Sequence, residues 1–563
     1  MKTTKKIISI ILLSALFITG CNKQPDTDLP ATEPAQTGNK PTPTSKAQLT
    51  PSGDAELTPQ ATPTPEALDN VHGDVRTEFN ESLDLSDYPL TANDVPADYQ
   101  FIMEAEDAVL SGNGSVYQND QYSGGEYLAL QGNSANDTIT FTVDLEYSGF
   151  YDLNFRSHSG DSGRTNNVAV DGVVTGAIVC NSDGEIVDSL LGNLYLSAGT
   201  HEIKIVPSWG WTDFDCLIMT RSDAITEDTY NITAELSNPN ADERTQMLYK
   251  FLCDVYGKYS LTGNFVSRGR ISLEWSEIEA ATGENFAVMG LEVGDFDRTS
   301  LAYGGKDDNL GYAYDFYTNA GGIVQLCWHW HAPIDYVIDD AANNHYWWNS
   351  FYKENTTLDL DKIMNGQDEA GHDALVEDMH AMATQFERLR DAGVPVIWRP
   401  LHEASGGWFW WGDCEPESYI KLWQEMYDIF TNEHDLTNII WMWNGQNPEW
   451  YPGDEYCDIV SYDIYQPEHV YTSYAGTFTE AANTPGESKL VALSENGVVM
   501  DPDLVMQDNA RWLFWGTWGD PFTLDGLFLS ETYTEKDMLI KAYSHERTLT
   551  LDELPDLKNY PLD

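Results

Sequence analysis

The sequence predicts a multidomain protein in which a β-sandwich (jelly-roll) module is followed by a (β/α)8 TIM barrel. At 563 residues the chain is long enough for more than one domain. Its first half contains short alternating apolar and polar runs, and its second half contains apolar runs separated by amphipathic segments. We assign residues 1–20 to a signal peptide, 21–97 to a linker, 98–223 to the sandwich and 230–563 to the barrel.

The N-terminus, MKTTKKIISIILLSALFITGCNK, has the features of an export signal. Three lysines precede an apolar run from Ile7 to Ile18, which is shorter than an ordinary transmembrane helix. The ending ITGC resembles a bacterial lipobox, which implies that Cys21 becomes the lipidated first residue of the mature protein. An acylated Cys21 would anchor the protein to the outer face of the cell membrane. A plain secretory signal with an unmodified cysteine is the alternative.

The composition of the linker and of the whole chain limits the possible partners. Residues 21–97 are rich in proline, threonine and acidic side chains and contain few large apolar ones, so we expect a disordered stalk. With 30 basic and 91 acidic residues the net charge is −61, which argues against a nucleic-acid partner. We expect a monomer. The six cysteines after Cys21 show no metal-binding spacing, and their disulfide pairing cannot be deduced.

The first folded region alternates with the period of β-strands. The stretch DTITFTVDL places Ile139, Phe141 and Val143 on one face, and HEIKIV does the same with Ile203 and Ile205. Glycine-rich turns, SGNGS, SGGE and DGVV, separate the runs. This pattern is typical of a β-sandwich of roughly 120 residues.

The second region alternates between buried strands and helices. The apolar runs are FAVMGLEV, GGIVQLCW, VPVIWRP, NIIWMW, CDIVSYD, LVALSEN and WLFWGTW. In DALVEDMHAMATQFERLRDAG the apolar side chains recur at helical spacing on one face, at Leu375, Met379, Met382, Phe386 and Leu389. Gly393 stands where a helix C-cap belongs. Strands that alternate with such helices predict the barrel.

Two glutamates follow strands of this barrel, where the functional residues of such folds lie. Arg399, His402 and Glu403 follow VPVIWRP, and Glu495 follows LVALS. Residue numbers 403 and 495 differ by 92, close to three βα units of about 31 residues each. If Glu495 follows the seventh strand, Glu403 follows the fourth, and both carboxylates can face one central cleft.

The surroundings of Glu403 favour glycoside hydrolysis. It lies in WRPLHEASGGWFWWG, which contains four tryptophans. Paired carboxylates can protonate a glycosidic oxygen and stabilise the developing cation, and indole faces stack on sugar rings. Nearby indoles also desolvate a carboxyl group, which raises its pKa, whereas Arg399 would orient other carboxylates. A glutamate after a strand is more often a surface or salt-bridged residue, and a surface glycan-binding protein without catalysis is the alternative from another class.

WRPLHEASGGWFWWG and LSENG together resemble glycoside hydrolase family 26 over about residues 240–535. The resemblance implies a retaining endo-β-1,4-mannanase that acts on mannan, galactomannan or glucomannan without a catalytic cofactor. It implies that Glu403 is the acid/base and that Glu495 is the nucleophile. Some members of the family cut β-1,3-xylan or mixed-linkage β-glucan, so those substrates remain open.

The same resemblance implies a set of substrate-binding residues. These are Trp328, His329, Arg399, His402, Trp408, Trp410, Trp411, Asp463, Tyr465, Trp515 and Trp518. Tyr465 would donate to Glu495, Asp463 would support it, and Trp518 rather than Trp515 would lie under the sugar at the cleaved bond. Trp443 and Asn444 would line the cleft. For each tryptophan, filling of the core is the alternative.

The segment FIMEAEDAVLSGNGSV with AGTHEIKIVPSWGWTDFD resembles a family 35 carbohydrate-binding module. Those modules hold a structural Ca²⁺, and the resemblance implies Glu104, Glu106 and Asp215 as its ligands. All three offer the hard oxygen donors that Ca²⁺ prefers. Trp209 and Trp211 are candidates for stacking on a sugar. Ordinary acidic surface is the alternative for the three carboxylates.

Overall fold

The structure is a computed structural model that describes residues 83–131, 134, 136–160, 164–180, 184–207, 211–306 and 308–562. The signal peptide, Cys21, most of the linker and Trp209 lie outside the described residues. Within the described part of the chain, no helix combines the length and the apolar character needed to cross a membrane.

The first domain is a sandwich of two antiparallel sheets. Its strands are β1 (Gln100–Glu104), β2 (Val109–Ser111), β3 (Gly114–Gln118), β4 (Glu126–Leu130), β5 (Thr138–Leu145), β6 (Gly149–His158), β7 (Arg164–Val170), β8 (Val173–Cys180), β9 (Val187–Leu196), β10 (Gly199–Pro207) and β11 (Thr212–Arg221). One sheet has the order β3-β4-β11-β6-β9, with β1 paired to β11, and the other has the order β2-β5-β10-β7-β8.

The alternation in the sequence explains the core of the sandwich. Ile139, Phe141, Ile203 and Ile205 are completely buried, as their spacing predicts. Strands β5 and β10 pair directly, with Ile203 opposite Phe141, so the apolar faces of both strands point at the other sheet. The predicted sandwich is confirmed.

The second domain is a closed barrel of eight parallel strands. These are β13 (Gly263–Phe265), β14 (Val288–Glu292), β15 (Ile323–Cys327), β16 (Val396–Arg399), β17 (Ile439–Trp443), β18 (Ile459–Ile464), β19 (Leu490–Asn496) and β20 (Trp515–Thr517). Short pairs lie outside it: β12 (Ser260–Leu261) with β23 (Thr548–Leu549), and β21 (Leu524–Asp525) with β22 (Phe528–Leu529). The predicted barrel is confirmed, and β16 and β19 are its fourth and seventh strands.

Helices accompany the barrel strands along the chain. They are α1 (Glu243–Val255), α2 (Leu273–Thr282), α3 (Arg298–Ala302), α4 (Asn309–Asp315), α5 (Leu360–Met364), α6 (Glu369–Asp391), α7 (Pro416–Asp428), α8 (Ala475–Asn483), α9 (Pro502–Gln507) and α10 (Lys536–Tyr543). In α6 the five predicted apolar positions are all buried. The Asp368 side chain caps its N-terminus, and Gly393 follows its end at a φ of 67°.

Residues 83–97 correct the prediction of a linker that is disordered to its end. Val95 is completely buried in the sandwich core, and Tyr88 packs against the barrel. The Arg511 guanidinium donates to the carbonyl oxygens of Tyr88 and Pro89, at 2.9 Å and 2.8 Å. The physical reason is composition, because this stretch contains large apolar side chains that the proline-rich part of the linker lacks. The six cysteines of the described domains are all free thiols.

Candidate active site

The carboxyl ends of the barrel strands bring charged side chains into one cleft. Glu292 ends β14, Arg399 ends β16, and Asp463 and Glu495 lie one residue before the ends of β18 and β19. Asp463 is the register partner of Glu495 on the neighbouring strand. Glu403 lies four positions after the end of β16, in the loop that the sequence predicts to carry it.

Three of these carboxylates converge. One carboxylate oxygen from each of Glu403, Asp463 and Glu495 lies within 4.8 Å of the other two. The fourth and the seventh strand of the barrel therefore do present their glutamates to the same space. Three negative charges at this distance repel one another strongly, so the site needs a counter-charge or a bound proton.

Arg399 supplies the counter-charge to two of the three. Its guanidinium donates to the Asp463 carboxylate at 2.7 Å and also to Glu495, and both Arg399 and Asp463 are completely buried. Burial lowers the pKa of Arg399, but the two carboxylates more than offset this and raise it above its ordinary value. The Tyr465 hydroxyl donates to the second oxygen of Glu495 at 2.7 Å. Glu495 is thereby held by a donor on each oxygen.

The environment of Glu403 favours its protonated form. Burial is the main cause that raises its pKa well above 4.5, and the charges of Asp463 and Glu495 add to it. The Trp408 indole N–H donates to Glu403 Oε2 at 3.1 Å, and this hydrogen bond lowers the pKa of Glu403 in part. Glu403 is therefore a carboxylic acid at pH values where an ordinary glutamate is ionised, and such a group can donate a proton.

Two histidines, one of which directly precedes Glu403 in the chain, contact each other. His329 Nδ1 lies 2.5 Å from the Glu292 carboxylate, and His329 Nε2 lies 3.2 Å from His402 Nε2. Burial, followed by the charge of Arg399, lowers the pKa of His402 well below 6.5, so His402 is neutral. The chain of contacts from Glu292 through His329 orients both rings next to Glu403.

Comparison with known proteins identifies the scaffold that carries these residues. A family model described as Glycosyl hydrolase family 26 matches residues 237–553, which is more than half of the chain. The chain belongs to glycosyl hydrolase family 26. A second model, Carbohydrate binding module (family 35), matches residues 101–222, the region of the sandwich.

Relatives with both regions are known. A mannan endo-1,4-beta-mannosidase from Thermothelomyces thermophilus is 34% identical over 452 residues, which cover 80% of this chain and 90% of the relative. The crystal structure of a Podospora anserina GH26-CBM35 β-(1,4)-mannanase is 32% identical with a TM-score of 0.56, over 82% of this chain and 100% of that one. A ruminal GH26 endo-β-1,4-mannanase is 26% identical with a TM-score of 0.58, over 81% and 99%.

Two of the predicted sugar-stacking tryptophans of the family 26 barrel lie at the cleft. Trp408 is half-buried and reaches Glu403 through its indole N–H. Trp518 is also half-buried, with its ring centroid 4.7 Å from that of Phe265 and 6.0 Å from that of His329. Both indoles keep an accessible surface close to the carboxyl cluster, which suits contact with a sugar ring.

The other predicted tryptophans need correction. Trp328, Trp410, Trp411 and Trp515 are at most 3% exposed and offer no free face to a ligand. The indole N–H of Trp410 donates to a backbone carbonyl at 2.8 Å, as does that of Trp411, and Trp328 stacks on Trp330 at 4.2 Å. These rings fill the core beneath the cleft, and the indole N–H groups of Trp328, Trp410 and Trp411 find acceptors inside the protein.

Trp443 and Asn444, predicted to line the cleft, are completely buried and lie beneath it. Conversely, sequence reasoning missed Glu292, which holds His329. The rule that selected the other glutamates could have found it, because Glu292 is the last residue of a barrel strand. It also missed Asp297, whose carboxylate lies 2.8 Å from His331 Nδ1.

The sandwich carries its own acidic cluster. Carboxylate oxygens of Glu104 and Asp215 and the Cys216 thiol lie within 4.8 Å of one another. The Ser123 hydroxyl contacts Glu104 at 2.6 Å and Asp215 at 2.8 Å. Glu106 Oε2 is buried and has no hydrogen-bond partner. The oxygen donors and this unpaired buried atom fit a hard cation such as Ca²⁺.

Proposed function

We propose that this protein is a retaining endo-β-1,4-mannanase whose sandwich module binds the polysaccharide that the barrel cleaves. The observation that carries the proposal is the convergence of Glu403 and Glu495, one carboxylate oxygen of each lying within 4.8 Å of the other, with Arg399 and Tyr465 donating to Glu495. Retaining glycosidases place their carboxyl groups about 5–5.5 Å apart, and inverting ones about 6.5–9.5 Å. The mannan specificity is supported by the names of the relatives that share both regions of the chain.

We assign a role to each carboxyl group. A Glu495 carboxylate oxygen attacks the anomeric carbon while Glu403 gives its proton to the departing glycosidic oxygen. A covalent mannosyl ester on Glu495 results. Glu403, now a carboxylate, then takes a proton from water, and the hydroxide oxygen attacks the anomeric carbon and releases Glu495.

The neighbouring residues prepare these steps. Arg399 and Tyr465 fix both oxygens of Glu495 before substrate arrives, so little reorganisation is needed during attack. We propose that His329 and the accessible faces of Trp408 and Trp518 contact the sugars on either side of the cleaved bond, which their proximity to one another and to the carboxyl cluster supports. Hydrogen bonds and apolar stacking of this kind orient a glycan without an additional cofactor.

The test of the proposal is a substrate panel combined with one isosteric variant. We expect release of short oligosaccharides from galactomannan and glucomannan, and little from lichenan or β-1,3-xylan. Glu495→Gln abolishes this release but leaves retention on a galactomannan affinity gel unchanged. The control is Glu417→Gln, because Glu417 is exposed in the first turn of α7 and has no described bond to the cleft residues.

Three results would overturn parts of the assignment. A preference for lichenan or β-1,3-xylan would keep the fold and change the substrate. Full activity of Glu495→Gln would remove the double-displacement mechanism, and the absence of hydrolysis on every glycan would favour a surface glycan-binding protein.

We infer that the sandwich holds a structural Ca²⁺ between Glu104, Glu106 and Asp215. Support comes from the oxygen donors of these side chains and from the unpaired buried oxygen of Glu106. A cation there would link the end of β1, strand β11 and the turn at Ser123. Trp211, which is 64% exposed, is the described candidate for sugar stacking on this module.

We also propose that the protein is a monomer that is exported and anchored through a lipidated Cys21, so that it acts at the outer face of the cell membrane. The supporting observation is the sequence ITGC after a short apolar run. A tethered pair of binding and catalytic domains raises the local concentration of substrate. Fractionation tests this: the wild-type protein remains with membranes, and Cys21→Ser is released into the medium. Release of the wild-type protein would contradict the anchor.

A further inference from the structure

Asn444 connects the two halves of the catalytic site from beneath. It directly follows β17, between the strands that carry Glu403 and Glu495, and its side chain is completely buried. It therefore does not touch substrate, and its bonds show what it does for the residues that do.

The carbonyl side of Asn444 holds the loop of Glu403. The Glu403 backbone N–H donates to Asn444 Oδ1 at 2.8 Å and to the Asn444 backbone oxygen at 2.7 Å. Glu403 has a φ of 52°, in the left-handed region that a glutamate rarely adopts. A residue in this region persists only where its surroundings fix it, and these two bonds do so.

The amide nitrogen of Asn444 holds the side of the site that carries Glu495. Nδ2 donates to the Asp463 carboxylate at 3.0 Å and to the Ser494 hydroxyl at 2.8 Å. Ser494 immediately precedes Glu495, and Asp463 shares Arg399 with Glu495. The Ser494 hydroxyl in turn donates to Asp463 at 2.6 Å, so the network closes around the nucleophile strand.

The primary amide of Asn444 serves both halves at once. Its oxygen accepts from the Glu403 N–H, which can only donate, and its nitrogen donates to an Asp463 carboxylate oxygen. An apolar side chain makes neither bond, and an ionised carboxylate cannot donate to Asp463. With an apolar side chain, the Glu403 N–H keeps only the Asn444 backbone oxygen, and Asp463 loses one of the donors that hold it beside Glu495.

We propose that Asn444 is a positioning residue that sets the Glu403 carboxyl group relative to Glu495, an inference that rests on the proposed glycosidase function. It acts through the backbone of Glu403 and through Asp463 and Ser494, which surround Glu495. It contacts no reacting atom. Its loss therefore impairs proton donation to the leaving group more than it impairs the fold.

The test compares substrates that differ in their need for a proton. Asn444→Ala lowers kcat/KM for mannan oligosaccharides by about 100-fold, at the low end of general-acid contributions. With a dinitrophenyl β-mannobioside, whose leaving group departs without protonation, kcat/KM falls far less. The control is Asn438→Ala, because Asn438 is equally buried and precedes the other end of β17, and its side chain bonds only Val394 O among the described contacts. It lowers stability without this dependence on the leaving group.

Each outcome separates the inference from the proposed function. An equal loss on both substrates, or the same pattern in Asn438→Ala, overturns the positioning role. Absence of mannan hydrolysis by the wild-type protein overturns the function instead. If Asn444→Ala does not fold, Asn444→Asp keeps the acceptor for Glu403 and places a negative charge beside Asp463. It then shifts the basic limb of the kcat/KM profile to higher pH, and an unshifted limb overturns the inference.

Discussion

One carboxylate oxygen of Glu403 lies within 4.8 Å of one of Glu495, although Glu403 comes from the loop after the fourth strand of the barrel and Glu495 from the seventh strand. This distance leaves no room for a water molecule to attack from the side of Glu495. The first sugar released must therefore have the same anomeric configuration as the substrate. We predict that proton NMR of early mannan digestion shows the β-anomer of the new reducing end before mutarotation. Initial formation of the α-anomer would contradict the mechanism.

Removal of the Glu403 carboxyl group should separate the two chemical steps. Glu403→Ala cannot protonate a leaving group or activate water, so hydrolysis of mannan falls by about 100-fold to 10,000-fold. A dinitrophenyl β-mannobioside still reacts with Glu495, and the ester intermediate accumulates as a burst. Azide needs no base and should restore turnover to give a β-mannosyl azide. If azide leaves the rate unchanged, Glu403 is not the acid/base.

The sequence was sufficient to predict the barrel, because the apolar runs and the buried face of α6 have the periods of strands and helices. It also located Glu403 and Glu495, since strand ends in this fold converge on one cleft. The sequence could not predict that Trp408 keeps an accessible face whereas Trp410 and Trp411 are buried. Which face of an indole meets solvent depends on where its N–H finds an acceptor, and those acceptors are backbone carbonyls set by the loop conformation.

The Trp408 indole sets part of the pH dependence through its bond to Glu403. That bond stabilises the carboxylate and so lowers the pKa of Glu403, although burial keeps the pKa well above 4.5. Trp408→Phe removes the donor, so the pKa rises and Glu403 keeps its proton to higher pH. We predict that the basic limb of the kcat/KM profile moves to higher pH. Trp348→Phe is the control, because Trp348 is 49% exposed and has no described bond to Glu403. A shift towards lower pH would contradict this account.

The raised pKa of Glu403 also has a cost for stability. A carboxyl group whose pKa is higher in the folded state than in the unfolded state stabilises the fold at low pH, and that contribution is lost as the pH rises through the folded-state value. Each unit of difference corresponds to about 1.4 kcal/mol. Glu403→Gln cannot ionise, so it should unfold at a higher temperature than the wild type. The difference should increase from pH 4.5 upwards. Thermal unfolding at several pH values measures it, and a difference independent of pH would be inconsistent with a raised pKa.

The last prediction concerns Glu106 in the acidic cluster of the sandwich. Its Oε2 is buried without a partner, so a cation bound there should stabilise the folded module in proportion to its occupancy. We predict that a chelator lowers the unfolding temperature of the wild-type protein and that added Ca²⁺ restores it. Glu106→Gln should lose this response, because an amide is a weaker ligand for Ca²⁺ than a carboxylate. Asp107→Asn is the matched control, because Asp107 is the adjacent exposed acid and its substitution removes the same charge. If both variants respond to Ca²⁺ as the wild type does, the cluster is ordinary acidic surface and the calcium assignment fails.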